Sequence, residues 1–165
     1  MKKKAKTAPK SGGFAGHNPH RVMEGGMPRT LGMRIVTVTR KKVIGEMPVD
    51  DRHMNRSARV NGGALMAFAD ALGAAGTVAN LPASCRTTTL ESKTNFFAGG
   101  VGPVMKGVSI PLHVGRTTNV WQTTISNADG RIVAIVTQTQ IVIPASVDPA
   151  IGATTQDRPS RRKAK

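Results

Sequence analysis

The sequence has no tyrosine and only one tryptophan, Trp121, among its 165 residues. Modules that bind single-stranded RNA or DNA by base stacking need several aromatic side chains on one surface. This shortage argues against such a module. No apolar run approaches the roughly 20 residues that a membrane-spanning helix requires. The lysine-rich start is followed by no apolar segment typical of a secretory signal, so we expect a cytoplasmic protein.

Cysteine is equally scarce, since Cys85 is the only one. A single cysteine excludes an internal disulfide and a metal site built from several cysteines, and it fits a reducing compartment. No histidine lies in an arrangement that suggests a catalytic partner for Cys85. We therefore predict no metal site and no cysteine nucleophile.

Acidic residues are few, because nine Asp and Glu stand against 24 Lys and Arg, and the formal net charge is +15. Residues 1–30 carry +6 and residues 151–165 carry +4, whereas residues 31–150 carry +5. The two ends are also rich in Pro, Gly, Ser and Lys, so both are predicted to be basic and flexible. Residues 31–150 are long enough for one folded domain. A nucleic-acid binder is an alternative raised by the charge, but the charge lies on tails rather than on a folded face.

The central residues predict two strands, one long helix and four further strands. Alternating β-branched residues indicate the strands. The helix is indicated by apolar residues at positions i, i+3, i+4 and i+7 (Leu65, Phe68, Ala69, Leu72), which would form one buried face. The predicted strands span residues 31–39, 43–49, 86–97, 104–114, 119–126 and 131–143, and the helix spans residues 62–80. One helix among antiparallel strands predicts an α+β fold in which a curved sheet wraps around the helix.

Two features of this helix carry possible chemistry. Asn61 is a good N-cap, and Gly62 and Gly63 let a ligand approach the first-turn amides, which lack helical acceptors. Such amides can stabilise an oxyanion, although a plain turn is the alternative. Asp70 is the only acidic residue of the helix. Its spacing leaves open whether it lies on the solvent face or in a cleft as a catalytic carboxylate.

The separation of these two features predicts an oligomer. Gly62 and Asp70 are eight residues apart, which is about 12 Å along one helix. A carbonyl held about 3 Å from the Gly62 amide is therefore out of reach of Asp70 in the same chain. If both residues act on one substrate, they come from two chains whose helices run antiparallel.

The ordered set Asn55, Asn61-Gly62-Gly63 and Asp70 resembles the signature of the phenylacetate-degradation (PaaI-like) thioesterases of the hotdog superfamily. Residues 31–33 (LGM), 89–97 (TLESKTNFF), 114–117 (VGRT) and 127–134 (NADGRIVA) are similar to other segments of that family. The resemblance extends from about residue 31 to residue 143. It implies a hotdog fold and hydrolysis of an acyl-coenzyme A thioester, of aryl or phenylacetyl type among the options. It also implies a homodimer or homotetramer, and no cofactor, since coenzyme A is part of the substrate.

The resemblance also assigns roles to residues. Asp70 would be the nucleophile or general base, the Gly62 amide the oxyanion donor, and Asn55 the group that orients the thioester or the water. The groups expected to contact coenzyme A are Gly63, Gly115, Arg116 and Thr117, and Lys106 is a further candidate. Phe96 is a candidate for the acyl pocket, with core packing as its alternative. The family usually has His where this chain has Asn61, and Asn cannot shuttle a proton near neutral pH.

Two alternatives share the hotdog fold. Residues 16–20 (GHNPH) superficially resemble a hydratase motif but lack its Asp and lie outside the predicted domain. Because Asn61 replaces the usual His, a ligand-binding protein without thioesterase turnover is the second alternative.

Overall fold

The computed structural model describes residues 14–146 of the chain. The helical elements are a 3-10 helix at Pro19–Met23, a short helix α1 at Gly26–Thr30, a 3-10 turn at Asp51–His53 and the long helix α2 at Gly62–Val78. The strands are β1 (Arg34–Val38), β2 (Val43–Pro48), β3 (Cys85–Phe96), β4 (Val104–Val114), β5 (Thr118–Ser126) and β6 (Ile132–Pro144). No helix in this part of the chain is long and apolar enough to cross a membrane.

The six strands form one antiparallel sheet in the order β1-β2-β4-β5-β6-β3. Short turns join β4, β5 and β6, whereas α2 connects β2 to β3, which lies at the far edge beside β6. The helix touches all six strands, so the sheet wraps around it. The predicted α+β architecture of the hotdog fold, with one long helix and a curved antiparallel sheet, is therefore confirmed.

The helix lies close to the sheet because glycines face large side chains across the contact. A Cβ on Gly107 of β4 would collide with Leu72 and lie 2.9 Å from the Phe68 ring. A Cβ on Gly76 of the helix would lie 2.6 Å from the Trp121 ring. Both rings are fully buried. Truncating either ring to Ala would therefore destabilise the fold by about 3–5 kcal/mol.

Residues 14–30 differ from the flexible segment that their composition suggested. Pro19 and Met23 of the 3-10 helix are buried, and Met23 packs in the hydrophobic core beside α2. The His17 Nε2 atom lies 2.9 Å from the carbonyl oxygen of Pro82. The composition of residues 1–30 taken together did not reveal the apolar residues that anchor residues 14–30 to the core. Residues 1–13 and 147–165, which include the predicted C-terminal tail, lie outside the described residues.

Candidate active site

The N-terminus of α2 leaves one backbone amide without an acceptor. The Asn61 amide donates to the His53 carbonyl at 2.7 Å, and the Ala64 amide donates to the Asn61 carbonyl at 3.0 Å. The side-chain Oδ1 of Asn61 accepts from the Gly63 amide at 2.8 Å. Among residues 14–146 nothing accepts from the Gly62 amide. This N–H lies at the positive end of the helix dipole and can stabilise a carbonyl oxygen that becomes negative.

The Phe96 ring covers this end of the helix. A Cβ on Gly62 would lie 3.1 Å from Phe96 Cζ, so the ring and the glycine are nearly in contact. Phe96 is 51% exposed and is the last residue of β3. Core packing, the alternative for this residue, is therefore excluded. Contact between Phe96 and a substrate stays a prediction.

Asp70 is half-buried and faces the sheet rather than open solvent. Its Oδ1 atom accepts a hydrogen bond from the Thr89 hydroxyl at 2.7 Å and one from Gln138 Nε2 at 3.3 Å. Its Oδ2 atom has no partner within residues 14–146. Asp70 is therefore not a fully exposed surface charge, and its catalytic role stays a prediction. Asp70 and Gly62 are about 12 Å apart along α2, so one chain does not bring them together.

A β-bulge at Leu90 allows one strand, β3, to contact both Asp70 and Gly62. The Cα partners on either side of the bulge are Thr89–Gln140 and Glu91–Thr139. Side chains of a regular strand alternate between its two faces, so Thr89 and Phe96 would lie on opposite faces. The extra residue restores Phe96 to the helix-facing side. One strand therefore reaches Asp70 through Thr89 and Gly62 through Phe96.

The two asparagines of the signature have structural duties. Asn55 Oδ1 accepts from the Ser57 amide at 2.9 Å and from the Arg59 amide at 3.2 Å, which closes the loop before the helix. Of the polar side-chain atoms of Asn55, only Nδ2 is available to bind a ligand. Asn61 is the helix cap, so its side-chain oxygen accepts from the Gly63 amide. Asn55 Oδ1 already accepts two hydrogen bonds, whereas Asn61 Oδ1 accepts one and can accept a second. The Nδ2 group of each residue can still donate.

The predicted coenzyme A contacts at Gly115, Arg116 and Thr117 form the turn between β4 and β5. The Gly115 amide donates to the Thr118 carbonyl at 2.9 Å, and the Thr117 carbonyl accepts from the Val142 amide at 2.8 Å. Arg116 is exposed and has no acidic partner within the described part of the chain. The turn lies about 13 Å along β6 from the level of Asp70, judged from the strand rise between residues 138 and 142. The Lys106 Nζ atom instead donates to the Ala128 carbonyl at 3.3 Å.

A cavity of about 510 Å³ opens beside the N-terminus of α2. Its walls are Met27, Thr30, Leu31, Arg52, Met54, Asn61, Gly63 and Ala64. Most of this lining is apolar. The Arg52 guanidinium donates to the Thr30 carbonyl at 2.7 Å and to Asp50 Oδ2 at 2.6 Å. The hydrogen bond with Arg52 holds the pKa of Asp50 well below its usual value and raises the pKa of Arg52. The cationic wall of the cavity is therefore already paired.

Comparison with known proteins identifies the family. Residues 58–134, which include Asn61, Gly62 and Asp70, match the thioesterase superfamily. The protein PA1618 of Pseudomonas aeruginosa, whose name describes an esterase, is 30% identical over 115 residues, covering 69% of this chain and 79% of PA1618. A crystal structure of a PA1618 mutant, described there as a thioesterase, has a TM-score of 0.72 at 27% identity and covers 76% of this chain and 91% of that one. The chain belongs to the thioesterase superfamily.

Two further proteins extend this comparison. The 1,4-dihydroxy-2-naphthoyl-CoA hydrolase of Escherichia coli is 28% identical over 109 residues, covering 66% of this chain and 80% of the hydrolase. The PaaI protein of the E. coli phenylacetic acid degradation operon has the same fold, with a TM-score of 0.69 at 21% identity over 76% of this chain and 91% of PaaI. The predicted hotdog thioesterase family and the thioester-hydrolase class are confirmed.

The family membership also bears on the alternatives. It favours thioester hydrolysis over a hydratase and over a ligand-binding protein without turnover. His17 of the hydratase-like motif contacts Pro82, which follows the C-terminus of α2 at the opposite end from Gly62. The catalytic and binding roles of individual residues stay predictions, as do the oligomeric state and the acyl group.

Four residues around the site had no role predicted from the sequence. Met27 and Met54 line the cavity, and Thr89 and Gln138 bind Asp70. The methionines carried no signal, because methionine is common in ordinary cores. Gln138 did carry one, since Gln138 and Gln140 interrupt the apolar residues at the buried positions of β6. A buried glutamine must find hydrogen-bond partners, and here it finds the helix carboxylate.

Proposed function

We propose that this enzyme hydrolyses acyl-coenzyme A thioesters in a site formed by two chains. The thioester oxygen binds the Gly62 amide of one chain, and Asp70 of a second chain acts at the carbonyl carbon. The observation that carries the proposal is the free Gly62 N–H at the positive end of α2, about 12 Å from Asp70 on the same helix. A carbonyl about 3 Å from that amide is beyond the reach of the same chain's Asp70.

The proposed reaction has two routes with the same products. In one, Asp70 accepts a proton from water as the water oxygen attacks the carbonyl carbon. The oxyanion held by Gly62 collapses, the C–S bond breaks, and the coenzyme A thiolate takes the proton from Asp70. In the other, the Asp70 carboxylate attacks, expels the thiolate and forms an anhydride that water then hydrolyses. Each route converts a thioester and water into a carboxylic acid and a thiol.

The exposed edge of strand β3 supports the proposal that a second chain completes the site. The strand is 12 residues long and, within residues 14–146, is paired on one side only, so its other side presents backbone donors and acceptors that no described strand uses. Leu90 is 57% exposed and Phe97 is 59% exposed on this strand and its continuation, as expected of an interface. Because β3 adjoins both Gly62 and Asp70, antiparallel pairing of two copies about a two-fold axis would bring Asp70 of one chain towards Gly62 of the other. A dimer of dimers is the larger assembly we propose, since Val108 and Ile110 leave a second apolar face exposed.

The exposed guanidinium of Arg116 supports the proposal that coenzyme A is the leaving group. This guanidinium is free of acidic partners in the described chain, and Arg116 lies on the exposed turn between β4 and β5. Guanidinium groups bind phosphate oxygens in a bidentate manner. We therefore propose that Gly115, Arg116 and Thr117 bind the phosphates of coenzyme A, and that Asn55 Nδ2 donates to the thioester.

The cavity beside Gly63 supports an apolar acyl group. Met27, Leu31, Met54 and Ala64 supply hydrophobic walls, and methionine side chains adapt to flat or irregular ligands. Arg52 is neutralised by Asp50, so the cavity offers little attraction to a charged acyl terminus. We propose an aryl-type acyl group, in line with the naphthoyl thioester named for the E. coli relative. A phenylacetyl group is the smaller member of this class.

The cellular location is proposed from composition. A single cysteine and a coenzyme A substrate both suit a reducing compartment, and the cytoplasm is the location we propose.

The two-chain site is tested by mixing two inactive variants. Asp70→Asn removes the carboxylate, and Gly62→Pro removes the amide hydrogen. A hybrid dimer holds one site with both defects and one intact site. After equal amounts are co-refolded, random pairing should restore about one quarter of wild-type activity. Each variant refolded alone is the control, and a mixture that regains nothing while hybrids are present would refute the shared site.

A further inference from the structure

Two glutamines lie where the core would ordinarily be apolar. Gln138 and Gln140 of β6 are completely buried and point to the helix side of the sheet, together with Val136 and Val142. A buried amide costs free energy unless its donors and acceptors are paired. The Oε1 atom of Gln138 has no donor among the described residues. A leucine would fill this space without that cost, so the amide is retained for something other than packing.

Gln138 makes its hydrogen bonds to Asp70. Its Nε2 atom lies 3.3 Å from both the backbone oxygen and the Oδ1 atom of that residue. Both partners are acceptors, so the nitrogen rather than the oxygen of the amide must face them. Gly73 makes this approach possible, since a Cβ there would lie 2.5 Å from the Gln138 amide carbon. The helix therefore carries a gap one turn beyond Asp70 in which the amide is seated.

Gln140 acts on the same carboxylate through Thr89. Its Nε2 atom donates to the Thr89 hydroxyl oxygen at 2.7 Å, and that hydroxyl donates its only proton to Asp70 Oδ1 at 2.7 Å. The Thr87 hydroxyl lies 3.0 Å from Gln140 Oε1 and 2.9 Å from the Ile141 carbonyl oxygen, and these two acceptors share its one proton. The chain of donors therefore ends at one carboxylate oxygen.

The two sets of bonds make the carboxylate oxygens unequal. Oδ1 receives donors from Thr89 and Gln138, whereas Oδ2 receives none within residues 14–146. A carboxylate held by one oxygen keeps its rotamer and presents the other oxygen to the reaction.

We infer that Gln138 and Gln140 are positioning residues that lock Asp70 through Oδ1 and leave Oδ2 as the reactive oxygen. This inference rests on the proposed role of Asp70. Neither glutamine touches the substrate. Their effect belongs to the rate of the chemical step and not to the affinity for coenzyme A.

The test compares Gln138→Leu and Gln140→Leu with Gln122→Leu. Gln122 is half-buried on the neighbouring strand β5, and it hydrogen-bonds nothing at the site. Steady-state hydrolysis of an aryl-CoA should show about 10–100-fold lower kcat for Gln138→Leu and Gln140→Leu, since a misplaced group costs up to about 10²-fold. KM should change little, and Gln122→Leu should match wild type.

Repeating the substitution in the Asp70→Asn enzyme distinguishes failure of this inference from failure of the proposed function on which it depends. In the Asp70→Asn enzyme, Gln138→Leu should cause no further loss, because its effect passes through the carboxylate. Equal losses in both backgrounds would mean that Gln138 supports the fold in general. If Asp70→Asn alone keeps near-normal kcat, the proposed function fails. If Asp70→Asn is inactive while Gln138→Leu and Gln140→Leu behave as Gln122→Leu, only the positioning role fails. Should Gln138→Leu not fold, Gly73→Ala displaces the same amide and carries the same expectations.

Discussion

Replacing Gly62 by proline is the most direct test of the oxyanion donor. Proline at the first position of a helix removes only the amide hydrogen and is otherwise favourable, because its fixed φ suits the helix. Asn61 already has an extended conformation with φ −61° and ψ 136°, which is the one that a residue before proline adopts. The substitution therefore deletes one donor while α2 keeps its start.

The expected magnitude follows from the single donor that is lost. Removing one preorganised oxyanion donor costs about 10²–10³ in kcat, or about 2.7–4 kcal/mol in the activation free energy. The melting temperature should not fall by more than a few degrees, because no group of residues 14–146 accepts a hydrogen bond from the Gly62 amide. Steady-state thiol release from an acyl-CoA and thermal unfolding measure the two quantities.

Gly62→Ala is the matched control. Its Cβ approaches Phe96 at 3.1 Å, as the proline Cβ does, but the amide hydrogen remains. We expect Gly62→Ala to stay within a few-fold of wild type, since the exposed ring can move. If both variants lose activity equally, the contact with Phe96 is responsible. If Gly62→Pro keeps wild-type kcat, the amide is not the oxyanion donor and the reasoning is wrong.

Three further substitutions probe the rest of the site. Asp70→Asn keeps the shape and removes the charge, so it should lower kcat by about 10²–10⁴-fold with coenzyme A affinity little changed; near-normal turnover would exclude a catalytic role. Arg116→Ala should raise KM for acyl-CoA several-fold at low salt and leave kcat intact, and an effect on kcat alone would contradict phosphate binding at the turn. Ala64→Leu should narrow the cavity and lower kcat/KM for aryl thioesters relative to acetyl-CoA, measured side by side; an equal loss for both substrates would place the acyl group elsewhere.

Local features of this protein were predictable from the sequence. The cap at Asn61, the helix stripe through Leu65 and Phe68, and the turn at residues 127–130 each depend on residues a few positions apart. The predicted helix start coincides with Gly62, and the predicted strands agree with the structure to within about three residues at each end. The 12 Å separation of Gly62 and Asp70 also required only helix geometry.

Tertiary structure decided the surroundings of Asp70. Its partners Thr89 and Gln138 are 19 and 68 residues away in sequence, and strand pairing alone sets which of them meet the helix. The bulge at Leu90 is equally invisible, because it arises from the register between β3 and β6. Without it, alternation along the strand would place Thr89 and Phe96 on opposite faces. Periodicity identifies which residues repeat on one face, but only the packed sheet determines which face meets the helix and where the register shifts.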